Sequence, residues 1–106
     1  MAETETIDAV IEKGLAYLRQ RIRIEAAFLF GSQLTGEANK DSDIDLAVFS
    51  PDVDNMDFFQ RVRVESDAAL DCDSRLEVHL YSSRALANAR PTNFAGYIVT
   101  HGKRLV

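Results

Sequence analysis

Two aspartates separated by one residue, Asp43 and Asp45, stand at the start of an apolar run that continues to Phe49. Side chains alternate between the two faces of an extended strand, so both carboxylates are expected on the same face. Two like charges about 6–7 Å apart repel each other in a dry site unless a cation lies between them. Because both donors are oxygens, the pair predicts a site for Mg²⁺ or Mn²⁺.

A second chemical feature, Gly31-Ser32, ends the preceding apolar run at 26–30. A glycine at a strand end lets a phosphate approach the backbone, because there is no Cβ in the way. The hydroxyl of Ser32 adds a donor, and a helix beginning there would add unpaired N–H groups that favour an anion. A phosphate on one side and a divalent cation on the other indicate metal-assisted phosphoryl or nucleotidyl transfer.

Together these residues form the pattern Gly-Ser, ten residues, Asp-x-Asp, met here by Gly31, Ser32, Asp43 and Asp45. The chain thereby resembles the minimal nucleotidyltransferases of the DNA polymerase β superfamily, and the apolar flanks and the closing segment I-V-T-H-G-K-R-L-V resemble that family too. The resemblance implies that Gly31 and Ser32 bind the β- and γ-phosphates of a nucleoside triphosphate. It also implies that the two aspartates bind the bridging Mg²⁺. A turn followed by a solvated acidic strand entrance is the alternative.

A third acidic candidate lies on the segment 75–81, which has the clearest alternation in the chain. Its apolar side chains share one face, and Glu77 and His79 share the other. If this strand lies beside the Asp-x-Asp strand, Glu77 can reach the metal. The family usually has an acidic residue on such a strand, so the resemblance implies that Glu77 completes the metal site or accepts a proton. For Glu77, an ordinary exposed strand residue is the alternative. His79 is interpreted as a hydrogen-bonded structural residue, with a role at the site as the alternative.

The sequence departs from the family pattern just after Gly-Ser, at positions that affect nucleotide binding. Arginines that help to hold the triphosphate are common there, whereas this chain has the uncharged residues 33–35. Lys40 is the only cation within the motif and is therefore the predicted nucleotide-binding side chain. This departure motivates an alternative function, a catalytically weak binding module that neutralises its partner by forming a complex.

Length and composition limit the other possibilities. With 106 residues, 46% of them hydrophobic, the chain is expected to form one domain, 1–106. No apolar run is long enough to cross a bilayer, and no signal peptide is recognisable, so we expect a cytoplasmic protein. A net charge of −5 argues against broad binding to nucleic acid. A single cysteine, Cys72, excludes a disulfide within the chain and a zinc site built from cysteines.

Periodicity predicts an α/β (α+β) fold, a small mixed sheet with helices packed against it. Helices are expected at 7–18, 56–70 and 83–89, with a last helix opened by Pro91 and ended at Gly102. The first helix is expected to be capped by Thr4 or Thr6, and the second by Asp54 or Asn55. The predicted apolar face of the second helix consists of Met56, Phe59, Val62, Ala69 and Leu70, with Phe58 and Val64 on a neighbouring face.

A domain of this size has little room for a site that binds the acceptor of the nucleotide. We therefore expect another protein to present the acceptor, and the family resemblance indicates which protein. Minimal nucleotidyltransferases are often paired with a HEPN-type protein as antitoxin and toxin, the transferase moving AMP from ATP to a hydroxyl of its partner. That is the leading hypothesis for this chain, as part of a homo- or hetero-oligomer. Besides the binding module, a nucleotidyltransferase that acts on a small molecule such as an antibiotic stays open.

Overall fold

The computed structural model describes residues 6–31 and 43–106. Within these ranges the chain folds into a four-stranded sheet with helices on both faces, which confirms the predicted α/β class. The helices are α1 (Ile7–Arg19), a 3₁₀ helix (Pro51–Asn55), α2 (Phe58–Asp71), α3 (Ser83–Ala87) and α4 (Phe94–His101). The strands are β1 (Ala26–Phe30), β2 (Ile44–Ser50), β3 (Leu76–Ser82) and β4 (Lys103–Arg104).

The sheet is mixed, with the strand order β3-β2-β1-β4. β2 runs antiparallel to β1 and parallel to β3, so it is covered on both edges. Its side chains are buried along the whole strand, with the one exception of Asp45. A polar side chain that is partly open in an otherwise buried central strand marks the point where the sheet meets solvent.

Each face of the sheet carries its own apolar cluster. The larger cluster joins α1 and α2 to the sheet through residues such as Val10, Leu18 and Leu46. The smaller one is aromatic, with Phe28 and Phe49 edge to face at 5.9 Å between ring centroids. Because side chains alternate along each strand, Asp45 and Glu77 share the face of the aromatic cluster.

α1 begins where the sequence predicts, because the side chain of Thr6 accepts a hydrogen bond from the N–H of Ala9 at 3.1 Å. The predicted start of α2 is wrong. Residues 51–55 form a 3₁₀ helix, and α2 is capped at Asp57 by a capping box with Gln60. In that box each side chain accepts a hydrogen bond from the other residue's backbone N–H, which satisfies two donors that the helix leaves unpaired.

The predicted apolar face of α2 is also wrong, since Phe59 is 80% exposed and Leu70 is 81% exposed. The helix instead packs through Val64, Ala68 and Cys72, which are spaced four residues apart and lie against the larger cluster. Apolar residues therefore occupy two sides of α2, and only tertiary packing distinguishes the inward side.

α4 begins later than predicted. Its cap is Asn93, whose side chain accepts a hydrogen bond from the N–H of Gly96 at 2.9 Å, and Pro91 precedes the helix in a turn. The helix ends at His101 before Gly102, as predicted. Among the helices of residues 6–31 and 43–106, none combines the length and the apolar character needed to span a membrane.

Candidate active site

Three strands bring the candidate residues to one end of the sheet. Asp45 is the register partner of Glu77 on β3 and of Phe30 on β1, the residue that precedes Gly31. The parallel pairing of β2 and β3 is the arrangement under which Glu77 is expected to reach the metal face. Because partners in register on adjacent strands lie about 5 Å apart, the two carboxylates face the same small volume.

Gly31 lies directly against this volume. Its φ of 81° is in the left-handed region, which residues with a Cβ rarely adopt. A Cβ built on Gly31 would also collide with the carboxylate of Asp45. Both the backbone conformation and the close approach therefore require glycine, and Gly31 forms one wall of the acidic site.

The acidic side chains influence one another. Burial raises the pKa of Glu77, and the negative charge of Asp45 raises it further, while His79 acts in the opposite direction. A hydrogen bond between the carboxyl groups of Glu77 and Asp43, together with the charge of Asp43, raises it as well. Asp43 itself is exposed and stands one residue before β2. The site thus concentrates negative charge, which makes ionising Glu77 less favourable than ionising an isolated glutamate.

His79 joins the acidic residues from the same face of β3. Its Nε2 lies 3.4 Å from Oδ1 of Asp45 and 3.8 Å from Oε1 of Glu77. The ring packs against Phe30, with 5.4 Å between the ring centroids. Sequence reasoning placed His79 on this face but interpreted it as structural. The signal available was the two-residue spacing from Glu77, which puts both side chains at one site once β3 lies beside β2.

These donors fit a divalent cation. Asp45, Glu77 and His79 can each offer one ligand atom, and the three atoms lie within 4.8 Å of one another. Carboxylate oxygen is the preferred ligand of Mg²⁺ and Mn²⁺, and imidazole nitrogen binds transition metals. A cation in this position would offset the repulsion among the carboxylates.

The structure brings together four of the predicted site residues: Gly31, Asp43, Asp45 and Glu77. The other two, Ser32 and Lys40, lie outside the described residues, as do the uncharged positions 33–35. The catalytic, metal-binding and nucleotide-binding roles of all six stay predictions.

Cys72 is a structural residue rather than a reactive one. Burial raises the pKa of its thiol, and Asp71 and Asp73 add to this effect while Lys13 opposes it. Since the thiolate is the nucleophilic form, a raised pKa disfavours reactivity at neutral pH. Burial is the largest of these causes.

The chain also matches a known family over most of its length, with residues 12–106 aligning to the sequence model described as polymerase beta, nucleotidyltransferase. The chain belongs to this nucleotidyltransferase family. As a nucleotidyltransferase, it has the activity class that Gly31, Asp43 and Asp45 indicate. No curated protein sequence matches the chain at a significant level.

Solved structures of toxin–antitoxin complexes contain similar chains. One, from a toxin–antitoxin crystal structure with AMP-PNP, is 28% identical with a TM-score of 0.64, covering 95% of this chain and 73% of that one. A chain of the MntA–HepT toxin–antitoxin is 27% identical with a TM-score of 0.61, covering 93% and 71%. The same values hold for a chain from the complex of a tri-AMPylated Shewanella oneidensis HEPN toxin with its MNT antitoxin. This nucleotidyltransferase thus has the fold of MNT antitoxins.

Proposed function

We propose that the protein is the antitoxin of a toxin–antitoxin pair and transfers AMP from ATP to a hydroxyl of a HEPN-type partner. The observation that carries this proposal is the register pairing of Asp45 with Glu77 beside Gly31. This pairing supports the proposal because two carboxylates that could hold a cation lie against Gly31, which has no Cβ to exclude a phosphate.

The similar solved chains support the choice of substrate and partner. One comes from a complex with AMP-PNP, which is an ATP analogue, and another from a complex whose HEPN toxin carries AMP. Sequence identity of 27–28% over more than nine tenths of this chain makes a shared reaction a reasonable proposal. The protein is proposed to act in the cytoplasm, in a hetero-oligomer with its partner.

Asp43, Asp45 and Glu77 are the side chains that would hold Mg²⁺. The bound cation would supply positive charge next to the triphosphate. Gly31 and Ser32 would receive the β- and γ-phosphates, and Lys40 would add the positive charge that the family commonly takes from arginines. The negative charge at the site is therefore expected to make nucleotide binding dependent on the divalent cation.

The transfer itself exchanges one phosphorus–oxygen bond for another. The hydroxyl oxygen of the partner attacks the α-phosphorus of ATP, and the bond to the oxygen bridging to the β-phosphorus breaks, so that pyrophosphate leaves. The proton of the hydroxyl needs a base, and Glu77 is the carboxylate that we assign to this role if it does not bind the cation. Half of its side chain is exposed, which leaves an incoming hydroxyl room to reach it.

The experiment mixes the purified protein with its HEPN-type partner, ATP and Mg²⁺, and measures the mass of the partner. We expect an added AMP with the wild-type protein and with Asp54→Asn, and none with Asp45→Asn. Asp54 is a suitable control because the same change of residue is made at an ion pair with Arg84, outside the site. An adduct formed equally by Asp45→Asn would overturn the proposed function.

The second candidate is the binding module that neutralises the partner without chemistry, favoured by the uncharged residues at 33–35. It predicts that Asp45→Asn still forms the complex and still blocks the partner's toxicity. Growth of cells that express the toxin together with each variant separates the two functions. Rescue by Asp45→Asn favours the binding module, and loss of rescue with the complex intact favours transfer.

A further inference from the structure

We propose that His79 is a ligand of the cation, and that its nitrogen makes this site prefer a first-row transition ion such as Mn²⁺ over Mg²⁺. The inference rests on the proposed function, because it concerns the cation of the same site. It adds a nitrogen donor to a ligand set that the sequence predicts as carboxylates alone.

The register of the sheet places His79 for this role. It follows Glu77 by two residues on β3, so both side chains are on the face that Asp45 shares. Its Nε2 is the atom that points to the carboxylates, at 3.4 Å from Asp45 and 3.8 Å from Glu77. A typical N–H···O hydrogen bond is about 2.9–3.0 Å long, so neither contact is an optimised hydrogen bond.

The spacing of the three donor atoms suits a shared ion. At metal–ligand distances of about 2.1 Å, adjacent ligands of an octahedral ion are about 3 Å apart and opposite ligands about 4.2 Å apart. The donor atoms of Asp45, Glu77 and His79 lie within 4.8 Å of one another, so shifts of less than an ångström bring them into this geometry. Rotation of the half-exposed Glu77 side chain alone supplies much of that movement.

Packing holds the imidazole in place. One third of the His79 side chain is exposed, and its ring leans on Phe30 at an interplanar angle of 55°. Phe30 on β1 is the register partner of Asp45 on β2. The residue that supports the His79 ring is therefore held beside the strand that carries the Asp45 carboxylate. A ligand that is oriented before binding loses little rotamer entropy when the ion arrives.

The chemistry of the nitrogen sets the selectivity. Mg²⁺ requires oxygen ligands in nearly ideal octahedral geometry and gives up its water reluctantly, whereas imidazole is a common ligand of transition metals. An imidazole among these carboxylates therefore makes the site favour Mn²⁺ relative to a site with carboxylates only.

The test uses Mn²⁺ as the probe, with the whole protein and with two matched variants. His79→Phe keeps a ring against Phe30 but removes both nitrogens. His101→Phe makes the same change at the only other histidine, whose ring stacks on Tyr97 at 4.5 Å. Titration followed by electron paramagnetic resonance gives the affinity for Mn²⁺, and competition gives the affinity for Mg²⁺. Pulsed measurements on bound Mn²⁺ detect a nitrogen nucleus in its coordination shell.

We expect nitrogen coupling in the wild type and in His101→Phe, and its loss in His79→Phe. We also expect the affinity for Mn²⁺ to fall about tenfold or more in His79→Phe, and the affinity for Mg²⁺ to fall much less. Absence of nitrogen coupling in the wild type would overturn the inference, and that measurement needs no variant to fold. Coupling without transfer of AMP would support the ligand role while the proposed function fails. Transfer without coupling would overturn the ligand role alone.

Discussion

Two carboxylates four residues apart, Asp73 and Glu77, have opposite electrostatic environments. Asp73 accepts hydrogen bonds from the backbone N–H of Arg75 at 2.9 Å and from its Nε and Nη2, each at 3.1 Å. These contacts with Arg75 lower the pKa of Asp73 below its ordinary 3.8, although burial acts against them. Glu77 lies beside Asp45 and Asp43, and its pKa is raised.

The difference shows which of the two carboxylates has a positively charged partner within the fold itself. Asp73 has its positive partner two residues along the chain, in Arg75, and both side chains are largely buried. Glu77 lies among like charges, and a bound cation would offset their repulsion. Titratable groups in such unfavourable surroundings are typical of functional sites.

The largest expected effect tests the assignment of Glu77. Glu77→Gln removes a charge that serves either the proposed cation or the proton transfer, so we expect transfer of AMP to fall about 10²–10³-fold. Thermal stability should stay the same or rise slightly, since repulsion from Asp45 disappears. Activity is measured as adduct formed per minute, and stability as Tm. A lower Tm with unchanged transfer would show that Glu77, like Asp73, serves stability rather than the reaction.

The next effect concerns Asp73, which is expected to serve stability. Asp73→Asn removes the charge-assisted pair with Arg75 and should lower the free energy of unfolding by about 1–2 kcal/mol. For a domain of this size each kcal/mol corresponds to about 4–8 °C in Tm. Binding of Mn²⁺, measured below the Tm of the variant, should be unchanged. Weaker binding in a folded variant would contradict a purely stabilising role.

The stabilisation by Asp73 should depend on pH in a defined direction. Its pKa is lower in the folded state than the ordinary 3.8, so the folded state releases the proton more readily than the unfolded state. The contribution is complete above that ordinary value and is lost as the pH falls through the lower, folded value. The difference in Tm between wild type and Asp73→Asn should therefore close in strong acid, and a constant difference would exclude this charge effect.

A smaller effect is expected at Glu65, whose carboxylate accepts a hydrogen bond from the N–H of Leu80 on the edge strand β3, at 2.8 Å. Glu65→Ala leaves this backbone donor without its acceptor and should cost about 1 kcal/mol of stability. Glu65→Gln keeps an acceptor oxygen and serves as the matched control, with stability close to that of the wild type. Equal losses of stability in the two variants would show that the negative charge of Glu65 matters, rather than the hydrogen bond that it accepts.

The smallest effect is expected at Arg84, which pairs with Asp54 at 3.3 Å while 82% of its side chain is exposed. Solvent screens such pairs, so Arg84→Ala should change stability by less than about 0.5 kcal/mol. This variant sets the baseline against which Asp73→Asn is compared in the same unfolding experiments. A loss as large as that of Asp73→Asn would remove the distinction between exposed and buried pairs.

Local patterns predicted the strands and much of the acidic site. The alternation from Arg75 to Tyr81 placed Glu77 and His79 on one face, and the Asp-x-Asp spacing placed Asp45 correctly relative to Ile44. These predictions succeed because strand alternation depends only on neighbouring residues.

Features set by tertiary contacts were not predicted. The outward position of Phe59 and the inward position of Ala68 on α2 depend on how the helix rests on the sheet. The approach of His79 to Asp45 depends on the pairing of β2 with β3, and strand pairing joins residues that are distant in sequence. The cap at Asp57 was missed because three preceding residues, Asp52, Asp54 and Asn55, have side chains that can cap a helix in the same way.

The turn that contains Asp73 also sets the alignment of the two site strands. Its Arg75 offers the carbonyl that accepts the N–H of Ile44 at 2.7 Å, immediately before the pairing of Ile44 with Leu76. A slip of β3 by one residue would turn Glu77 and His79 to the opposite face of the sheet. In a random library screened for transfer, insertions or deletions in the turn at 72–75 would therefore appear among the inactive clones, although no residue of that turn is assigned a role in the chemistry.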